Sequence, residues 1–283
     1  MSWFILIMIS VFSLSITNLL QRVLMKDKKS DPVAYGLAFQ WLSAFLIGIY
    51  AFWNGFVLPP VRELPFNFIL SAVSFGFGTI ILFKALKTTE VSEVTVLFSS
   101  RGLWVIAIAI LFLGESFDIQ KIIGTFLILA AILLVFFERE KIKFRKGGLY
   151  ALLGAFFYGI GIPNDAFIIS RSADVPSYLA FTLLLQGIVI FLSKPSVIKK
   201  MKLFLHKDTL TKMLLIGIFF SIFLISFYLA YQSGGNISQL SPISQSAVIV
   251  TVVLAAIFLK ERKHLIRKII AAFFVSIGVL LLR

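Results

Sequence analysis

The chain has no cysteine and only two histidines, His206 and His264, in 283 residues. That excludes disulfides, thiolate metal sites and cysteine nucleophiles. Both histidines fall in basic stretches. Acids are scarce too, with 13 Asp and Glu against 27 Lys and Arg. No HExxH, GxSxG or P-loop motif occurs, so the sequence predicts no catalytic residues, no metal, no cofactor and no ATP-driven step. The last shortage concerns charge itself. A soluble domain carries ~25% charged residues, whereas here 14% are charged, 59% are hydrophobic and the mean hydropathy is +1.00. Such a composition cannot cover a water-facing surface and places the chain in a lipid bilayer. The formal charge of +14 then records topology, not a nucleic-acid partner.

Ten apolar stretches approach the ~20 residues needed to span a bilayer. They are 3–25, 33–53, 66–86, 91–113, 119–137, 148–170, 176–193, 212–232, 237–259 and 265–282. They are too evenly apolar for alternating barrel strands, so an all-α integral membrane fold is expected. The first begins at Trp3 with no basic residue before it and reads as a retained span. Connections carry breakers, Asp31-Pro32, Pro59-Pro60 and Gly234-Gly235 among them. The basic connection 194–211 holds an interfacial amphipathic turn near 197–205.

Residues 112–137 and 258–283 share one pattern, displaced by 146 positions: a helix end, a turn around Glu115 or Glu261, a basic residue and a long apolar run. Asp31-Pro32 and Asp174-Val175-Pro176 echo each other before the second and seventh spans. A repeat of five spans enters the membrane from opposite sides in its two copies. The expected architecture is therefore ten transmembrane helices in two inverted five-helix repeats, residues 1–140 and 141–283. Loops after the odd-numbered spans, together with the span ends beside them, carry 22 Lys and Arg, against 4 on the other side. Basic loops stay cytoplasmic, which puts both termini on the outer face of a plasma membrane, expected to be prokaryotic.

Leu113-Gly114-Glu115 before the fifth span, Leu259-Lys260-Glu261 before the tenth, and Ser233-Gly234-Gly235-Asn236 ahead of Leu240-Ser241-Pro242 together resemble the drug/metabolite transporter superfamily, in its EamA-type members. The resemblance covers essentially the whole chain. It departs at Lys260, where Gly is commoner, and at Arg101, an unusual charge within the fourth span. It implies a secondary active transporter, an exporter of small organic metabolites such as amino acids. Substrate would bind in a central cavity between the repeats and move by alternating access. A carrier of lipophilic drugs, nucleotide sugars or other metabolites is the alternative, followed by a channel or a scaffold. The expected partners are a small-molecule solute and the bilayer, with the protein a monomer.

Ionisable groups inside spans are costly and are functional candidates by default. Arg101 lies about ten residues into the fourth span, roughly 15 Å along a helix axis, near the bilayer midplane. It is placed there to grip a carboxylate or phosphate through paired hydrogen bonds; the bland alternative is snorkelling toward Glu93. Asp165 is the only acid well inside a span, behind Pro163 and Asn164, where a proline-kinked helix offers a proton or cation site. Solvation near the helix end is its alternative. Gln40, Trp104, Tyr158, Asn164, Gln186, Tyr228 and Gln245 complete the expected substrate site with Arg101, and Asp165 is the expected ion-coupling residue. Asn18, Ser99, Ser100 and Gln239 are further polar candidates, with Trp41 and Tyr231 as possible aromatic wall. Glu115 and Glu261 read as structural, capping the helices that follow them.

Overall fold

The structure, a computed structural model, describes residues 2–26, 30–113, 119–138, 141–142, 146–171, 174–234, 240, 243–261 and 264–281. Glu115, Gly235 and Gln239 lie outside them. Among the described residues the regular structure is helical apart from one short antiparallel pair, Phe137–Glu138 (β1) with Lys141–Ile142 (β2). In the first half the helices are α1 (Trp3–Lys26), α2 (Pro32–Trp53), α3 (Pro65–Thr88), α4 (Val91–Phe98), α5 (Arg101–Leu113) and α6 (Ile119–Phe136). The second half has α7 (Lys146–Ile169), α8 (Val175–Ser193), the 3-10 helix η1 (Pro195–Leu205), α9 (Lys207–Gln232), α10 (Ala247–Phe258) and α11 (Leu265–Leu281).

Six of these, α1, α2, α3, α7, α8 and α9, are long and apolar enough to cross a membrane. The others are shorter for a local reason. The expected fourth span is not one helix but two, α4 and α5, divided at Ser99-Ser100. The ninth is divided likewise at Ser246, ahead of α10. Both divisions are tight turns closed by bonds between residues three apart. Ser100 N–H donates to Leu97 O and Leu103 N–H to Ser100 O; Ser246 N–H donates to Ile243 O and Ile249 N–H to Ser246 O. Each bond of the second set is the first shifted by 146 positions. Serine hydroxyls that bond their own backbone loosen a helix; Ser99 Oγ donates to Thr95 O and Ser246 Oγ to Ile243 O.

Proline, by contrast, breaks nothing here. α7 runs through Pro163 without interruption. The missing N–H frees one carbonyl, that of Gly159, and the bonds on either side carry the helix past it.

α2 and α8 start on side-chain caps. Asp31 accepts from Val33 N–H at 2.9 Å and Ala34 N–H at 3.2 Å; Asp174 accepts from Ser177 N–H at 2.9 Å, opening α8. A proline stands in the first turn of both helices, where its absent N–H costs nothing. The Asp31 carboxylate also takes Lys200 Nζ at 2.6 Å, tying η1 to α2. Inside η1, Val197 and Phe204 are buried against the bundle while Lys199, Lys200 and Lys202 are exposed, the amphipathic division expected of an interfacial segment.

Partial burial alone would raise the Asp31 carboxyl, but Lys200 and the Ala34 and Val33 N–H groups outweigh it and hold the carboxyl below its ordinary value. A depressed folded value contributes stability that is present above the unfolded value, about 4, and lost as pH falls through the folded one. Asp31→Asn is therefore expected to melt lower than the unaltered protein at pH 7, with the gap closing below about pH 4. Thermal scans across that range check it, and a gap that is constant with pH refutes the pairing.

Packing runs between the halves. α1 packs on α9 and α3 on α7, while α2 packs on α8 and α6 on α11. In the α2–α8 pair, Gln40 Nε2 donates to Gln186 Oε1 at 2.8 Å, across a separation of 146 positions. One residue along, Trp41 lies against Gly187, where a Cβ would overlap the indole. The shared face there holds one ring, not two. The α6–α11 pair is built from small residues: Ala131, Ala271 and Ala272 are buried, and a Cβ at Gly278 would sit 2.7 Å from the Gly124 carbonyl oxygen. Small residues let helix backbones approach closely in lipid, where apolar side chains alone give little drive to associate.

Candidate functional site

A central cavity of about 150 Å³ lies between the halves, lined by residues of α1, α2, α3, α4, α5, α7, α8, α9 and α10. Among the described residues none of α6 or α11 reaches it. Those two helices brace each other to one side.

Arg101 is the cavity's cation. As the first residue of α5 it stands at the turn dividing the fourth span, not midway along a continuous helix. The guanidinium carbon lies 4.7 Å over the Phe98 ring, with Tyr158 as an electrostatic neighbour. Tyr158 meets the Phe98 ring edge-on at 5.0 Å and Phe75 at 4.9 Å. A cation at a helix N-terminus opposes the helix dipole, and face-on aromatic contact offsets only part of its lost hydration. An incoming anion satisfies both the guanidinium and the positive helix end.

Polar groups run from Tyr158 to the shared face of α2 and α8. The Tyr158 hydroxyl and Thr79 Oγ1 lie 3.0 Å apart, and Gln40 Nε2 donates to Thr79 Oγ1 at 3.1 Å as well as to Gln186. Both donors of the Gln40 amide are thereby used. Its carbonyl oxygen is buried without a partner among the described residues, and Gln40 lines the cavity. Leaving a buried acceptor unmade costs ~1–3 kcal/mol, a cost carried here on the shared face of α2 and α8.

Asp165 is the cavity's anion. It is 4% exposed and so is not solvated at a helix end. Its carboxylate accepts from Ser71 Oγ at 2.7 Å and from the Tyr228 hydroxyl at 3.4 Å. No ion pair joins it to Arg101 among the described residues, although both line the same space. A carboxyl held by hydroxyls alone can take up and release a proton without breaking a salt bridge.

Seven candidates from the sequence therefore meet in one cavity: Arg101, Gln40, Tyr158, Asp165, Gln186, Tyr228 and Gln245, joined by Asn18 and Ser99. Two do not. Asn164 donates to the Asn67 carbonyl at 2.8 Å and accepts from Asn67 Nδ2 at 2.7 Å, binding α7 to α3 instead of lining the cavity. Trp104 is 41% exposed, packs edge-on to Phe156 at 4.8 Å and covers Gly159. Trp41 and Tyr231 also lie outside the lining, Trp41 facing an apolar groove on the outer surface of α2 and α8. What sequence reasoning missed is the phenylalanine wall, Phe39, Phe75, Phe98, Phe220, Phe223 and Phe227. With 31 Phe in the chain, no one of them is marked by its type.

Glu261 reaches across to the first half. Only 4% exposed, it accepts from Arg22 Nε and Ser92 Oγ, each at 3.4 Å. Lys260 just before it has φ 56°, the left-handed region that favours glycine, which accounts for glycine as the commoner residue there.

The EamA-like transporter family model matches this chain twice, over residues 1–137 and 145–283. The chain belongs to the EamA-like transporter family. An uncharacterized transporter of Archaeoglobus fulgidus is 27% identical over 217 residues, 76% of this chain and 73% of that one. A solved crystal structure superposes with a TM-score of 0.67 over 98% of this chain and 94% of that one, at 13% identity, and is similar in fold. Membership makes the chain an integral membrane protein of a transporter family. The two matched segments meet within the connection from α6 to α7, so the cavity lies between the two family units.

Proposed function

We propose that this EamA-family chain is a secondary active transporter, an exporter of small organic metabolites such as amino acids, working by alternating access. Its units, residues 1–140 and 141–283, are read as inverted five-helix repeats in a prokaryotic plasma membrane. The basic loops face the cytoplasm and both termini the outside. The observation that carries the reading is a cavity, lined from both halves, that holds opposite charges which no ion pair joins among the described residues: Arg101 from the first half and Asp165 from the second. A zwitterionic solute matches that set. Its carboxylate meets Arg101 and the start of α5, its ammonium meets Asp165, and its apolar part meets the phenylalanine wall. Support for the inverted repeat comes from the turns at Ser100 and Ser246 and from the Gln40–Gln186 bond, all related by the same shift.

A thermal-shift screen of the purified protein against amino acids, nucleosides, sugars and lipophilic cations tests the substrate class. Stabilisation by one or more amino acids, growing with ligand concentration as mass action requires, is expected. Stabilisation by lipophilic cations alone refutes the zwitterion assignment.

A further inference from the structure

Charged side chains from the two halves interlock at one end of the cavity. Gln21, Leu86 and Val91 line that end, and the neighbours of Gln21 and Val91 pair across the halves. Arg22 Nε lies 3.4 Å from a Glu261 oxygen, and its Nη1 donates to the Leu86 carbonyl. Lys26 Nζ stands 3.7 Å from the same Glu261 oxygen, and Ser92 Oγ donates to the other. Beside them Lys268 of α11 pairs with Glu90, just before α4. Each ion pair here joins a residue of the first half to one of the second. Arg22, Glu261 and Lys268 are 8%, 4% and 6% exposed.

Buried ion pairs are poor permanent glue, because the loss of hydration offsets most of their attraction. The same balance suits a contact that parts and re-forms, since separated charges regain their water. At the other end of the cavity the contacts between halves are hydrogen bonds without a counter-ion: Ser71 to Asp165, and Asn67 with Asn164. Among the described residues the ionic contacts at the cavity are thus one-ended.

We propose that Glu261 with Arg22, and Glu90 with Lys268, form an ionic latch closing the cavity toward the basic-loop face, and that it separates whenever cargo passes there. The inference rests on the alternating-access reading above. It gives Glu261 a role in the transport cycle as a residue that positions the two halves.

The absence of cysteine makes the chain its own labelling background. Thr95 lines the cavity; with Thr95→Cys in reconstituted vesicles, modification by a membrane-impermeant thiol reagent is timed from each face. Adding Glu261→Gln is expected to speed labelling from the basic-loop face about tenfold and not to speed it from the other. Arg22→Glu combined with Glu261→Arg is expected to restore the slow rate. Should Glu261→Gln not fold, Glu90→Gln carries the same expectation, its side chain being 30% exposed. Labelling unchanged by either variant, or raised equally from both faces as a loosened fold would give, overturns the latch. If Thr95→Cys alone labels from only one face whatever solute is present, alternating access itself fails, and the latch with it.

Discussion

Arg101→Ala is expected to abolish transport of a zwitterionic or anionic solute while leaving the protein folded. The fold survives because the guanidinium is a cost to it: a cation at the N-terminus of α5, desolvated above Phe98. Its removal strands no counter-ion, since no ion pair to it exists among the described residues. Binding suffers because hydrogen bonds to charged groups contribute about 1.5–3 kcal/mol, which is roughly ten- to hundredfold in affinity. Arg101→Lys separates charge from geometry. Lysine keeps the charge and loses the planar pair of donors, so intermediate affinity is expected. Circular dichroism and melting show the fold, and uptake into vesicles shows the loss. Full transport by Arg101→Ala would remove Arg101 from the binding site.

Asp165→Asn is expected to uncouple transport from an imposed pH gradient. The substitution keeps the size of the side chain and an oxygen for Ser71 and Tyr228 to donate to, so packing of α7 against α3 and α9 is retained. What it removes is the ability to carry a proton. Flux driven by a pH gradient is expected to fall about tenfold or more, the effect of losing an essential proton carrier, while exchange of labelled for unlabelled solute continues. Gradient-driven flux equal to that of the unaltered protein would exclude Asp165 from coupling.

Much of this was legible in the sequence, and the failures have physical causes. The shift of 146 positions pairs Gln40 with Gln186, and the structure brings those two side chains into contact. Asp31 and Asp174 announced the starts of α2 and α8 through their caps. Arg101 and Asp165 stood out because charge inside a span is rare. The division at Ser99-Ser100 was not read, since Gly102, whose N–H closes the turn onto Ser99 O, is a lone glycine of the kind that apolar helices tolerate. Pro163 lies inside an unbroken helix of 24 residues, as the span drawn through it, 148–170, expected. Asn164 and Trp104 show that helical position near a site does not decide which way a side chain faces. The reach of Glu261 across the halves was not legible because its partner, Arg22, lies 239 positions away. Long-range pairing of that kind leaves no local pattern.

Solute counterflow tests the central claim most directly. Vesicles preloaded with an amino acid found in the screen are diluted into a trace of the same labelled solute, and the label inside is followed with time. A carrier with alternating access accumulates label in a transient overshoot before equilibrium, and the account predicts that overshoot for the unaltered protein and its loss in Arg101→Ala. A monotonic approach to equilibrium, or an overshoot untouched by Arg101→Ala, would contradict it.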